Sequence, residues 1–250
     1  MKCVAVIPAR MAATRFPGKP LENILGLPMV EHVRRRLLLS KYLDDVIVAT
    51  CDQEIMDLIL QQGGKAVLTK DSHERCTDRV AEAASSTDAD VIVNVQGDEP
   101  LVMPEMMEQV TKPLLDDKKL NCVNLVTEIV DNSEFNDPNV PKVVANIEGD
   151  LLYISREPIP SINKASTNDY LKLKQLGIIA FRREFLQLFT LLHPTPLEEV
   201  ESVDMMRAVE HGYRVRIVET KHQMIGVDVP SDIQRVEKVM SLDPLITKYI

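Results

Sequence analysis

Four short segments of this 250-residue chain hold residue types suited to phosphate or metal chemistry. The first is Ala9–Pro20, ARMAATRFPGKP, where Arg10, Arg15, Gly18 and Lys19 follow the apolar run Cys3–Ile7. Arg forks grip phosphate oxygens in pairs and Lys supplies a mobile point charge. Gly18 would let the backbone approach a ligand closely. The segment is not a GxxxxGKS or GxxxxGKT loop, because it has one Gly and Pro20 follows the Lys. A basic surface loop between a strand and a helix would look the same.

The second segment is Gln96-Gly97-Asp98-Glu99-Pro100, after the apolar run Val91–Val95. Adjacent carboxylates at a strand end offer the hard oxygen ligands that Mg²⁺ prefers. Gly-Asp and Glu-Pro are equally good turn formers. The third is Ile225–Pro230, whose Asp228 can complete a metal site with Asp98 if both segments end on one sheet edge. Otherwise Asp228 is a carboxylate at a helix mouth, stabilised by the helix dipole. The fourth, His73–Arg79, enters a helix, so N–H groups near Cys76 or Thr77 can meet an acceptor atom or phosphate. Thr77 as a plain N-cap is compatible with that role. His73 lacks a matching nucleophile and orienting carboxylate, which argues against a triad. His32 and Met205-Met206 fit helix and core positions.

These residues need a scaffold, and the rest of the sequence describes one. The first half alternates strand and helix: Lys2–Ile7, Val30–Leu39, Val46–Ala49, Gln53–Gln61, Ala66–Leu68, Thr77–Ala84 and Val91–Val95. Such alternation predicts βαβ units and a mainly parallel sheet, with ligands at the loops after the strands. Further strands are expected at Cys122–Ile129, Val143–Ile147, Leu151–Ser155, Leu176–Phe181 and Arg214–Glu219, the second and third paired across Glu148-Gly149-Asp150. Helices are expected at Arg183–Leu191, Val200–Glu210 and Val229–Val239, the last with Pro230 at its mouth and a capping box of Ser231 and Gln234. Residues 157–170 read as an exposed irregular loop.

Composition bounds the function. A chain of this length buries a core without staples, and 45% hydrophobic with 27% charged residues is ordinary for a globular protein. The net charge of -9 argues against nucleic acid as the main partner, since such a binder needs a basic footprint. Cys3, Cys51, Cys76 and Cys122 are scattered without zinc spacing, so free thiols in a soluble cytoplasmic protein are expected. The run Cys3–Ile7 is too short to span a membrane, and no membrane insertion is expected.

Taken together, the motifs resemble the cytidylyltransferases that activate 3-deoxy-manno-octulosonate. The matching signatures are IPAR (Ile7–Arg10), the TR and PGKP that flank Phe16, the PMVEHV helix start, VIVNVQGDEP (Val91–Pro100), PKVV (Pro141–Val144), Tyr153, Ser155 and Arg156, and GVDVPSD (Gly226–Asp232). They span essentially the whole chain in the expected order. The resemblance implies a Rossmann-like nucleotide-diphospho-sugar transferase fold (α/β, with a mixed, mostly parallel sheet flanked by helices). It implies one domain over 1–250, with about 135–185 as a dimerisation or sugar-side excursion, and a homodimer. The implied reaction joins CTP to an ulosonic acid sugar, giving a CMP-sugar for lipopolysaccharide or capsule synthesis, and pyrophosphate.

Carried over by position, Arg10, Lys19 and Asp98 would be catalytic. Pro8, Ala9, Arg10, Arg15, Lys19, Thr77, Arg79 and Gln96 would surround the nucleotide. Arg156, Gln175, Glu201 and Asp204 would face the sugar, and Asp98 and Asp228 would bind Mg²⁺. The chain also departs from the family pattern. Arg75-Cys76 stands for Ser-Gly, Ala13 for Ser, Cys51 for Asp, Gln175 for His, Ile179 for Tyr and Met205 for Gln, and Ser161 stands where an aromatic is common. Most departures fall outside the triphosphate and metal motifs, so the expectation is nucleotidyl transfer with a shifted acceptor, such as the 8-amino octulosonate or another eight- or nine-carbon keto acid. The competing readings are a catalytically inert nucleotide-binding regulator of the same fold and a glycosyltransferase that uses a nucleotide sugar.

Overall fold

The computed structural model of the chain describes residues 1–12, 15–161 and 170–250. Ala13, and residues 162–169 of the expected loop, lie outside that set. The chain opens with β1 (Cys3–Ala9), every residue of which is buried, as a strand covered on both faces must be. A small hairpin, β2 (Asn23–Ile24) and β3 (Leu27–Pro28), leads into α1 (Met29–Leu38). Next come β4 (Asp45–Thr50), α2 (Gln53–Gln61), β5 (Lys65–Leu68), α3 (Cys76–Ser85) and β6 (Val91–Val95). Strands β6, β1, β4 and β5 are parallel neighbours, so the βαβ expectation holds for the first half.

The second half adds α4 (Glu105–Asp116), β7 (Cys122–Glu128), α5 (Asn132–Asn136), β8 (Lys142–Ala145), β9 (Leu151–Ser155) and β10 (Leu173–Arg182). It closes with α6 (Arg183–Leu191), α7 (Pro196–Glu201), α8 (Met205–Glu210), β11 (Val215–Thr220) and α9 (Pro230–Met240). The sheet order is β11-β7-β10-β6-β1-β4-β5. β10 runs antiparallel to both β6 and β7, which makes the sheet mixed, while β11 is parallel to β7. β8 and β9 form the expected antiparallel hairpin, which joins the sheet through β10.

Helices α1, α2 and α4 cover one face of the sheet around Val33, Ile55 and Met107, and α3, α6 and α8 cover the other around Val80, Phe185 and Met206. A third cluster, with Phe16, Ile24, Met29 and Val236, seats α9 on the hairpin. His32 is buried, with Nε2 on Ile24 O at 2.7 Å, and Met205-Met206 is core. Among the described residues no helix is long and apolar enough to cross a membrane.

Two expectations change. The helix expected over Val200–Glu210 is two helices, because Ser202 takes a left-handed conformation (φ 52°) between α7 and α8. At α9 the box is closed by Asp232 rather than by Ser231 and Gln234: Asp232 Oδ2 accepts from Asp228 N and Val229 N at 3.0 Å. Pro230 therefore begins the helix and Ser231 lies inside its first turn. Within the 135–185 segment, β10 lies mid-sheet between β6 and β7.

Candidate active site

The loops after β1, β5 and β6 converge with the start of α3 on a cavity of about 510 Å³. Pro8, Ala9, Arg10, Arg15, Lys19, Arg79, Gln96, Asp98, Asp204 and Asp228 all line it. The β1 loop is pinned on both sides: Met11 N donates to Asp52 Oδ2 at 2.8 Å and Gly18 N to Met11 O at 3.0 Å. Gly18 takes a positive φ of 76°, which favours glycine, and a Cβ on it would find only Met11 Cε at 3.8 Å among the described residues. Gly97 is the crowded one. A Cβ on it would sit 2.9 Å from Pro8 O.

Two ion pairs lie side by side at the loop. Lys19 Nζ donates to Asp98 Oδ2 and to Val227 O, both at 2.7 Å. Arg15 Nη2 lies 2.9 Å from Asp228 Oδ1. Val227 N donates to Asp98 O at 2.9 Å, which stitches the two acidic segments together although Ile225–Val229 forms no strand. Burial pushes the Asp228 carboxyl above its usual range, Arg15 pulls it back, and the Asp98 charge adds to the rise.

Of the adjacent carboxylates only Asp98 reaches the cavity. Glu99 turns inward, Oε1 accepting from Gly177 N at 3.3 Å, and burial with the Asp98 charge pushes its carboxyl up to about 8. Mg²⁺ commonly takes one or two carboxylates beside phosphate oxygens and water. Asp98 and Asp228 suit that requirement, and among the described residues no cluster of three or more His, Cys, Asp or Glu offers a richer site.

The other wall is the start of α3. Thr77 is not its N-cap; it is buried in the first turn and its hydroxyl donates to Asp204 Oδ2 at 2.5 Å. Gln96 Nε2 donates to Cys76 Sγ at 2.8 Å. Burial first, and then Asp204, push the Cys76 thiol up to about 12, so it stays protonated at neutral pH. Arg79 spends Nη1 on Thr69 Oγ1 and Lys70 O, while its buried Nη2 has no partner among the described residues. His73 pairs with Glu82, a carboxylate partner that the sequence reading did not find for it.

The residues expected at the sugar divide. Asp204 lines the cavity; Arg156, Glu201 and Gln175 do not. Arg156 donates to Glu201 O at 2.7 Å, Pro138 O at 3.0 Å and Ser202 O at 3.3 Å. The Glu201 carboxylate accepts from Tyr153 Oη, Ser155 Oγ and Arg156 N. This knot fixes the Ser202 kink, which delivers Ser202 and Asp204 to the cavity. Gln175 Nε2 donates to Asn124 Oδ1 at 2.6 Å inside the sheet. Glu74 and Arg75 line the cavity as part of the fourth segment, whereas Ser202 lines it from outside all four segments.

Residues 4–220 match the family model described as Cytidylyltransferase. The chain is 43% identical to the 3-deoxy-manno-octulosonate cytidylyltransferase of Geobacter metallireducens, over 96% of this chain and 98% of that protein. It is 44% identical to the protein of that name from Geotalea daltonii, over 94% and 97%. Among solved structures it superposes on a CMP:2-keto-3-deoxy-manno-octonic acid synthetase complexed with CTP, with a TM-score of 0.90 and 37% identity, covering 96% of this chain and 99% of that one. A 4-diphosphocytidyl-2C-methyl-D-erythritol synthase from Anaerococcus prevotii, at 15% identity and a TM-score of 0.64, shares the fold.

Proposed function

The chain belongs to the cytidylyltransferase family, among the 3-deoxy-manno-octulosonate cytidylyltransferases, and we propose from that premise how its cavity joins CTP to the acceptor sugar. It is a nucleotidyltransferase that activates a 3-deoxy-ulosonic acid, octulosonate or a close relative, and releases pyrophosphate. The CMP-sugar is the activated form that lipopolysaccharide assembly consumes. The observation that carries the assignment of roles is the pairing of Lys19 with Asp98 and of Arg15 with Asp228 in one cavity.

The obstacle to the reaction is negative charge on both partners. The acceptor's anomeric hydroxyl oxygen bonds to the α-phosphorus, and the bond from that phosphorus to the bridging oxygen of pyrophosphate breaks. The electron pair leaves with pyrophosphate, and the hydroxyl gives up its proton to solvent water. Arg10 and Lys19 stabilise the charge on the leaving group, where electrostatic help counts most. An arriving triphosphate competes with Asp98 and Asp228 for Lys19 and Arg15, which turns the two carboxylates toward a cation. Mg²⁺ held by Asp98 and Asp228 would supply charge across the phosphate oxygens and lower the pKa of an oxygen it binds. Positioning does most of the remaining work, and no covalent enzyme intermediate is needed.

The direct test is pyrophosphate release with CTP, Mg²⁺ and octulosonate or its relatives. Measurable CTP binding with no pyrophosphate from any keto-acid sugar would favour an inert nucleotide-binding protein. Transfer from a CMP-sugar without pyrophosphate exchange would favour a glycosyltransferase.

The protein acts in the cytoplasm as a homodimer in this proposal. Its four cysteines are free thiols, suited to that compartment. The β8–β9 hairpin exposes Ile147 (99%) and Leu152 (52%), apolar surface of the kind an interface covers. Sedimentation at micromolar concentration is expected to show a dimer, and Ile147→Lys to weaken it. A monomer at all concentrations would remove the dimer from the proposal.

A further inference from the structure

Strand β10 carries a bulge beside the cavity residue Gln96. Gln175 pairs with Val126 of β7 and Ile179 with Asn124, so Leu176, Gly177 and Ile178 together stand opposite Leu125. The buried Asn124 side chain locks the bulge. Its Nδ2 donates to Leu176 O and Ile178 O, both at 3.2 Å, and its Oδ1 accepts from Gln175 Nε2 at 2.6 Å. Gly177 is the tip, and both of its backbone groups reach the segment that follows β6. Gly177 O accepts from Gln96 N at 2.8 Å, and Gly177 N donates to Glu99 Oε1 at 3.3 Å. Bulges beside a site commonly re-aim the side chains next to them.

Space, not backbone conformation, calls for glycine here, since Gly177 is not among the residues with positive φ. A Cβ on it would sit 2.4 Å from Gln96 Cγ and 2.8 Å from Gln96 Cβ, with Glu99 Oε1 next at 3.3 Å. Carbon atoms pack at about 3.5–4.0 Å, so the Gln96 side chain would have to move from its root. Its backbone cannot retreat without giving up the bond to Gly177 O. From the bulge the side chain runs into the cavity, where Nε2 donates to Cys76 Sγ at 2.8 Å. Gln96 is thus held at its root by Gly177 and at its tip by Cys76. That is its one side-chain hydrogen bond among the described residues, which leaves an amide oxygen and a second N–H to meet a ligand.

We propose that the β10 bulge is a positioning device for the reaction, with Gly177 as the residue that fixes where Gln96 stands in the cavity. The proposal rests on the nucleotidyl-transfer reading above. Gly177 touches no substrate and acts through Gln96. Asp98 is fastened separately, through Lys19 Nζ and Val227 N, so displacing Gln96 should leave the charge at Asp98 in place. The loss then falls on binding of the substrate that Gln96 meets, and shows in KM more than in kcat.

The test measures pyrophosphate release with CTP and octulosonate, varying each in turn. Gln96→Gly removes both atoms that the added methyl would strike, and is expected to raise the KM of one substrate at least about threefold. Gly177→Ala is expected to raise the KM of that same substrate at least about tenfold, with kcat little changed. In the Gln96→Gly background, Gly177→Ala is expected to add less than about twofold, because residues that act through one another are not additive. If Gly177→Ala alone does not fold, adding Gln96→Gly should restore folding, and the double variant is compared with Gln96→Gly in the same way. Cys76→Ala, which frees the other end of Gln96, should raise the same KM, and Cys76→Ser should recover most of it. Additive effects of Gly177→Ala and Gln96→Gly, a rise in the other substrate's KM, a loss confined to kcat, or no change in KM with Gln96→Gly overturns the proposal. CTP binding without pyrophosphate from any acceptor overturns the functional reading, and this role of Gly177 with it.

Discussion

Replacing Asp98 with Asn is expected to lower kcat by about a hundred- to a thousandfold, the scale seen when one preorganised electrostatic contact is removed, while CTP binding changes only a few fold. The variant keeps the size of the side chain and one oxygen, so Lys19 still has Val227 O and an amide oxygen to meet. What disappears is the carboxylate charge facing the cavity. That charge matters most when the phosphorus is being transferred, so the loss falls on turnover and not on ground-state binding. Asp228→Asn is expected to act in the same direction. Glu99→Gln is the internal control, because its carboxyl is pushed up to about 8 and is largely neutral at pH 7, where an amide resembles it. Single-turnover kinetics and equilibrium CTP binding on the three variants decide the matter. Near-normal turnover of the Asp98 variant at saturating Mg²⁺ would remove Asp98 from the metal site.

The contrast between Asp98 and Glu99 also shows where a sequence stops being legible. The motif is two adjacent carboxylates, and only the packing of β10 against β6 turns one to the cavity and the other to Gly177 N. Strand β6 and helices α2 and α6 match their sequence bounds to the residue, because continuous apolar runs and 3.6-residue periodicity arise from local geometry. Helix α4 does not announce itself, since Pro104 and Pro113 interrupt its signal; Pro113 is tolerated inside the last turn. The convergence of Arg10, Arg15 and Lys19 on one cavity was legible for a related reason: they are close in sequence and follow a single strand. The opposite wall of the cavity is assembled from the start of α3 and the α7–α8 segment, which are far apart in sequence, and side chains such as Arg156 and Gln175 are oriented by partners that no spacing rule predicts.

That dependence on distant partners makes Arg207 the residue whose loss should damage the fold most. Glu198 in α7 is 1% exposed and accepts from Arg207 Nε at 2.7 Å and Nη2 at 2.6 Å, a bidentate bond that welds α7 to α8 across the Ser202 kink. The guanidinium also lies over the Phe189 ring, 4.8 Å from its centroid. Arg207→Met would keep much of the bulk and leave Glu198 buried with only Arg75, 3.6 Å away, as a cation. Breaking a buried pair from one side typically costs about 3–5 kcal/mol, and a loss of that size is expected in urea unfolding with an unchanged slope. Adding Glu198→Gln to the variant should recover part of the loss, since the stranded charge goes with it. A loss below about 1 kcal/mol, the range of an exposed pair, would show that the pair adds little. Because the weld fixes the segment carrying Ser202 and Asp204, the folded fraction of Arg207→Met should show a raised KM for the acceptor and a nearly normal KM for CTP. The loop that carries Arg10, Arg15 and Lys19 follows β1 and is held through Asp52 and Met11, not through the α7–α8 kink.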